Sequence, residues 1–149
     1  MRDKDAVNSS LLICEMFAHY KKLGLSLLDV LQSLYEKYGY FKEALQSITF
    51  EGASGAKKMG DLMDSLRQNP PKEIAGFKML EMKDYKAGVG ALPKSNVLEF
   101  CMEKDVNVLV RPSGTEPKIK MYYLVKGENR EAGDQIVKKL EAYFTEACK

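Results

Sequence analysis

The sequence has one histidine, His19, and three cysteines, Cys14, Cys101 and Cys148. His19 lies in a stretch rich in apolar residues, and no serine, cysteine or carboxylate constellation accompanies it. A packing or surface role therefore outweighs a catalytic one. The cysteine count is odd and no pair has metal-ligand spacing, so the thiols read as reduced, in a cytoplasmic protein. No apolar run approaches the roughly 18 residues of a membrane-spanning helix. Residues 1–15 carry no basic-then-apolar pattern ending at a small-residue cleavage site. Neither sign of charge dominates: 23 basic and 21 acidic side chains leave a net charge of +2. That balance argues against a nucleic-acid or membrane partner. Internal repeats and low-complexity tracts are absent as well.

What is present is an ordinary globular composition, with 45% apolar and 30% charged residues over 149 positions. This length suits one domain with a real core and a small appendage. Residues 5–21 read as a helix with two adjacent apolar stripes, Val7, Leu11, Cys14 and Ala18 beside Ser10, Ile13, Phe17 and Tyr20. Such a wide apolar surface wants cover on more than one side. Ser26 caps a second helix through Tyr38, with Asp29 completing a capping box, and Gly39 stops it. Residues 40–46 read as a junction.

Beyond it the pattern changes. A short strand at 48–50 breaks at Gly52, and Ser54 caps a helix over 55–67 whose inner face is Met59, Leu62, Met63 and Leu66. Strands follow at 77–82, 97–102, 106–110 and 118–126, with an open loop marked by Gly88, Gly90 and Pro93. A closing helix over 130–147 turns Ile136, Val137, Leu140, Phe144 and Ala147 inward. The order is strand, helix, four strands, helix, with mostly short connections. It predicts an α+β fold: a mainly antiparallel sheet with two helices on one face, preceded by a two-helix N-terminal segment.

Between the last two strands stands Arg111-Pro112-Ser113-Gly114-Thr115-Glu116-Pro117-Lys118. Arg111 offers a planar fork of donors that fits phosphate oxygens. Ser113 and Thr115 add hydroxyls, and Pro112 and Pro117 stiffen the loop ends. Gly114 permits a backbone angle that would turn successive N–H groups toward one point, an anion-binding nest. Lys118 and Lys120 add positive charge at the exit. Glu116 repels phosphate, so its expected part is supporting: pairing with Arg111 or a lysine, or binding a sugar hydroxyl. The plain alternative is a polar hairpin turn, since these are turn residues anyway.

The run from Arg111 to Lys120, continuing into Met121-Tyr122-Tyr123, resembles the C-terminal signature of the α-D-phosphohexomutase superfamily. Further stretches resemble its phosphoglucomutase and phosphopentomutase branch: residues 2–7, Leu28-Asp29-Val30-Leu31, residues 34–40, Arg67-Gln68-Asn69-Pro70-Pro71 and residues 92–97. The resemblance covers nearly the whole chain. It implies a TATA-binding-protein-like β-α-β4-α domain over 46–149, and a helical tail of the preceding, third mutase domain over 1–45. It implies a C-terminal fragment of an enzyme interconverting hexose 1-phosphate and 6-phosphate, with phosphate-binding roles for Arg111, Ser113, Gly114, Thr115 and Lys120.

Magnesium and a hexose 1,6-bisphosphate activator are implied for the full-length enzyme, with none of either in this fragment. The implied partners are a phosphosugar and the remaining mutase domains. No catalytic or metal-binding residue is expected here. There is no serine in the family's nucleophile context, and Asp3-Lys4-Asp5 lacks the rest of the family's metal loop and reads as a helix cap. Gly88-Val89-Gly90 is not a dinucleotide loop, for no helix and no third glycine follow. The rival reading is a free-standing α+β ligand-binding or RNA-binding module, with Tyr122 and Tyr123 beside lysines on a sheet.

Overall fold

The computed structural model describes residues 4–148, in two compact units, Met1–Gly39 and Tyr40–Lys149. In the first, α1 (Ala6–Lys22) starts where Asp5 Oδ1 accepts the Asn8 N–H at 2.9 Å. Asp5 thus caps the helix; Asp3 lies outside the described residues. Gly24, at φ +75°, takes the chain out of α1. The capping box of α2 (Leu27–Tyr38) is formed as expected. The Asp29 N–H donates to Ser26 Oγ at 3.1 Å, and Asp29 Oδ2 accepts the Ser26 N–H at 2.8 Å. These hydrogen bonds hold the Asp29 carboxyl below its usual range. Gly39 ends α2 at φ +99°. No described residue of α1 or α2 is buried, and Leu11, Phe17 and Leu28 stand exposed.

The second unit runs β1 (Tyr40–Thr49), α3 (Gly55–Gln68), β2 (Glu73–Ile74), β3 (Phe77–Asp84), β4 (Leu98–Met102), β5 (Val106–Pro112), β6 (Lys118–Gly127) and α4 (Arg130–Ala147). One sheet orders the strands β1-β6-β5-β4-β3-β2, and every neighbouring pair is antiparallel. The α+β expectation holds, with three local differences. The first strand begins at Tyr40, so the expected junction over 40–46 is strand. β2 is a two-residue addition, joined to β3 through Ala75 and Gly76 at φ +52° and +88°. Ser54 holds the N-cap position of α3 but makes no side-chain capping bond.

Strand alternation places the core. Leu98, Phe100 and Met102 of β4, Val106, Val108 and Val110 of β5, and Ile119, Met121, Tyr123 and Val125 of β6 all point to one face and are buried. Met63 of α3 and Val137, Leu140 and Phe144 of α4 join the same cluster, so both helices cover that face. Ala147, expected on the inner side of α4, is exposed. Burying one such side chain stabilises the fold by about 1.5–3 kcal/mol. The Tyr123 hydroxyl donates to Gln46 Oε1, and Gln46 Nε2 donates to Thr145 Oγ1 at 2.8 Å, tying β1 to the core and to α4. Burial pushes the Tyr123 phenol pKa up.

Candidate functional site

The helix-free face of the sheet carries the polar residues of the same strands. Val110 and Met121 are opposed in the register and buried, so the next opposed pair, Arg111 and Lys120, emerges on the open side. The loop then closes tightly. The Ser113 N–H donates to the Lys118 carbonyl at 2.7 Å, and the Lys118 N–H donates to the Glu116 carbonyl at 2.7 Å. The Thr115 N–H points at Ser113 Oγ, at 3.4 Å. Glu116 pairs with Lys118, Oε2 to Nζ at 3.0 Å, and not with Arg111.

All seven residues singled out in the sequence, Arg111, Ser113, Gly114, Thr115, Glu116, Lys118 and Lys120, therefore gather at one end of the sheet. One expectation needs correction. Gly114 does not occupy the left-handed region, so the nest argued from its conformational freedom is not formed. Its hydrogen-only side faces open space, with nothing within 4 Å of where a Cβ would stand. The glycine leaves room beside the loop.

The charge arrangement is the more informative feature. Among the described residues neither Arg111 nor Lys120 has an acidic partner. Their strand neighbours do: Lys118 has Glu116 at 3.0 Å and Lys126 has Asp105 at 3.6 Å. Two cations directly opposite each other on adjacent strands destabilise a sheet by some 0.2–1 kcal/mol. An anion between them would turn that repulsion into attraction. Chemically the end of the sheet offers a guanidinium, an ammonium, two hydroxyls and exposed loop backbone.

Two supporting residues escaped the sequence reading. The Phe50 N–H donates to the Pro117 carbonyl at 2.8 Å. Gly55, the first residue of α3, is buried where a Cβ would meet the Phe50 carbonyl oxygen at 2.2 Å and Pro117 Cβ at 3.2 Å. Pro117 is thereby clamped between the end of β1 and the start of α3. The glycines flanking Ser54 were the available signal.

Elsewhere the chemistry is sparse. Among the described residues no three His, Cys, Asp or Glu side chains converge as metal ligands. The described residues do not fit the magnesium site implied for the full-length enzyme. His19 is exposed on α1, edge-on to Tyr20 with ring centroids 5.2 Å apart. The three cysteines are free. Tyr123 lies in the core, which leaves only Tyr122 of that pair on the open face. No described helix is long and apolar enough to cross a membrane.

Comparison with known proteins bears on the same region. The family described as phosphoglucomutase/phosphomannomutase, C-terminal domain, matches residues 62–142, which include the whole 111–118 loop. A phosphoglucomutase of Staphylococcus saprophyticus is 34% identical over 96% of this chain. One from Staphylococcus aureus is 37% identical over 95% of it. The chain spans 27% of the length of each. Among solved structures, the open form of the exocytosis-sensitive phosphoprotein parafusin, a phosphoglucomutase from Paramecium, superposes with a TM-score of 0.64. That match covers 97% of this chain and 27% of the other, at 18% identity, and shows the shared fold.

Proposed function

The chain belongs to the phosphoglucomutase/phosphomannomutase C-terminal domain family, and on that premise we propose that it grips the non-transferring phosphate of a hexose phosphate. The parent enzyme, on this reading, interconverts hexose 1-phosphate and hexose 6-phosphate. The observation that carries the reading is the Arg111–Lys120 pair: two opposed cations without acidic partners, at the mouth of a loop with open space at Gly114.

The roles divide by chemistry. Arg111 donates two parallel N–H groups to two phosphate oxygens. Ser113 and Thr115 donate from their hydroxyls, and Lys120 contributes charge from the neighbouring strand. Lys118 and Glu116 neutralise one another and hold the loop exit. On this reading phosphoryl transfer and its nucleophile belong to the remaining domains, as do magnesium and a hexose 1,6-bisphosphate activator. The tail of the third domain expected over 1–45 is, on this reading, shortened to the first compact unit, because residues 40–45 are strand in the sheet of the second, and the enzyme works in the cytoplasm.

The test is kinetic and uses the full-length enzyme. Arg111→Ala should lower kcat/KM by about 30- to 1,000-fold, the equivalent of about 2–4 kcal/mol for loss of a charge-assisted bidentate contact. Lys126→Ala, whose lysine pairs with Asp105 at the other end of β6, should stay within a fewfold of wild type. Equal effects of the two substitutions would reject the assigned role of Arg111.

A further inference from the structure

Tyr122 follows Lys120 by two residues on β6, so both side chains leave the sheet on its open face. The register sets Tyr122 opposite Leu45 of β1 on one side and Leu109 of β5 on the other. Leu109 in turn precedes Arg111 by two residues. The open face therefore carries two successive cross-strand rows: Ser47, Lys120 and Arg111, then Leu45, Tyr122 and Leu109. Two strand residues separate the rows by about 6.6–6.8 Å. A cationic row thus lies directly beside an apolar row with an aromatic ring at its centre.

The Tyr122 hydroxyl has no hydrogen-bond partner among the described residues, although the ring is half-buried. The Tyr85 hydroxyl, by contrast, donates to Glu99 Oε2 at 2.6 Å, and that of Tyr123 donates to Gln46. Tyr122 presents a flat apolar ring bounded by leucines and a polar tip with its bonding capacity unused. A pyranose has the complementary surface, a face of C–H groups rimmed by hydroxyls.

We propose that Tyr122 is a positioning residue for the sugar. When the phosphate is held at the Arg111–Lys120 row, the attached ring lies on the Leu45–Tyr122–Leu109 row, and the tyrosine hydroxyl bonds a sugar hydroxyl. This rests on the phosphate-gripping reading and adds the sugar contact to it. Inorganic phosphate fills only the first row; a hexose phosphate fills both.

The experiment titrates the 149-residue chain with inorganic phosphate and with glucose 6-phosphate, following backbone amides. Both ligands should move Ser113, Gly114 and Thr115. Only the sugar phosphate should move Leu45 and Tyr122, with its ring protons shifted upfield by the aromatic ring. Its affinity should exceed that of phosphate by about three- to tenfold. Tyr122→Thr, which suits an exposed strand position, should abolish that excess and leave phosphate affinity unchanged. Tyr122→Phe should keep most of it. If the threonine variant fails to fold, the upfield shift in wild type and the phenylalanine variant decide. A wild type that binds both ligands equally, or an excess that survives Tyr122→Thr, overturns the platform while the loop's response keeps the phosphate reading standing. A loop that responds to neither ligand overturns both.

Discussion

Gly55 shows how much one hydrogen atom can govern. Its position against the Phe50 carbonyl and Pro117 leaves no room for a methyl group, because the opposing atoms are backbone and a stiff ring. Gly55→Ala should cost about 1–3 kcal/mol through overpacking. It should also weaken phosphate binding, since Pro117 closes the loop. Urea denaturation with a parallel phosphate titration checks both, and unchanged stability would contradict the packing. Cys148 gives a pH-dependent counterpart. Burial pushes its thiol up to about 11, while the unfolded chain loses that proton from about 8.5 upward. Between these values the native state holds more protons than the unfolded one. The thiol's contribution is therefore fully present below about 8.5 and lost as pH rises toward about 11. The urea midpoint of wild type should fall more steeply over that window than the midpoint of Cys148→Ala. Parallel curves would show that the thiol is solvated.

At the scale of elements, legibility followed burial asymmetry. β4, β5 and β6 bury one face and show the other, so the alternation of Val106, Val108 and Val110, or of Ile119, Met121, Tyr123 and Val125, places them directly. β1 hid all but its last two residues for the opposite reason. It is an edge strand with apolar side chains on both faces, Ala44 and Ile48 toward the helices, Phe41 and Leu45 on the open side. Their combined spacing of 41, 44, 45 and 48 is that of a helix stripe, not a strand. β2 is too short to leave any period. The loop residues were legible from their chemistry, but the opposition of Arg111 and Lys120 needed the strand register, and the backbone angle of Gly114 was not encoded in its being glycine. The β4–β5 connection offers a test of hairpin strain. Lys104 sits there at φ +60°, ψ +33°, exposed and left-handed. Left-handed backbone costs a residue with a Cβ about 1–2 kcal/mol and costs glycine almost none. Lys104→Gly should stabilise the fold by about 0.5–1 kcal/mol after glycine's entropy is counted. A thermal melt that shows destabilisation would contradict the assigned turn.

Across the whole molecule, the two units differ in kind. Tyr40–Lys149 has a continuous core under a six-stranded sheet, whereas α1 and α2 bury no described residue. The chain spans 27% of the length of its curated relatives, and the part we propose for it is recognition of an anion at the end of a sheet. Such a partial site, exposed to water and salt, should hold phosphate with a dissociation constant of about 1 mM or weaker. The most direct measurement is a titration of isotope-labelled chain with inorganic phosphate and, separately, with glucose, mapped on the backbone amides. Phosphate should move Ser113, Gly114 and Thr115, glucose should leave them in place, and Arg111→Ala should abolish the response. Phosphate shifts confined to the Gly88–Gly90 loop, or RNA oligomers binding across the open face while phosphate does nothing, would contradict the account.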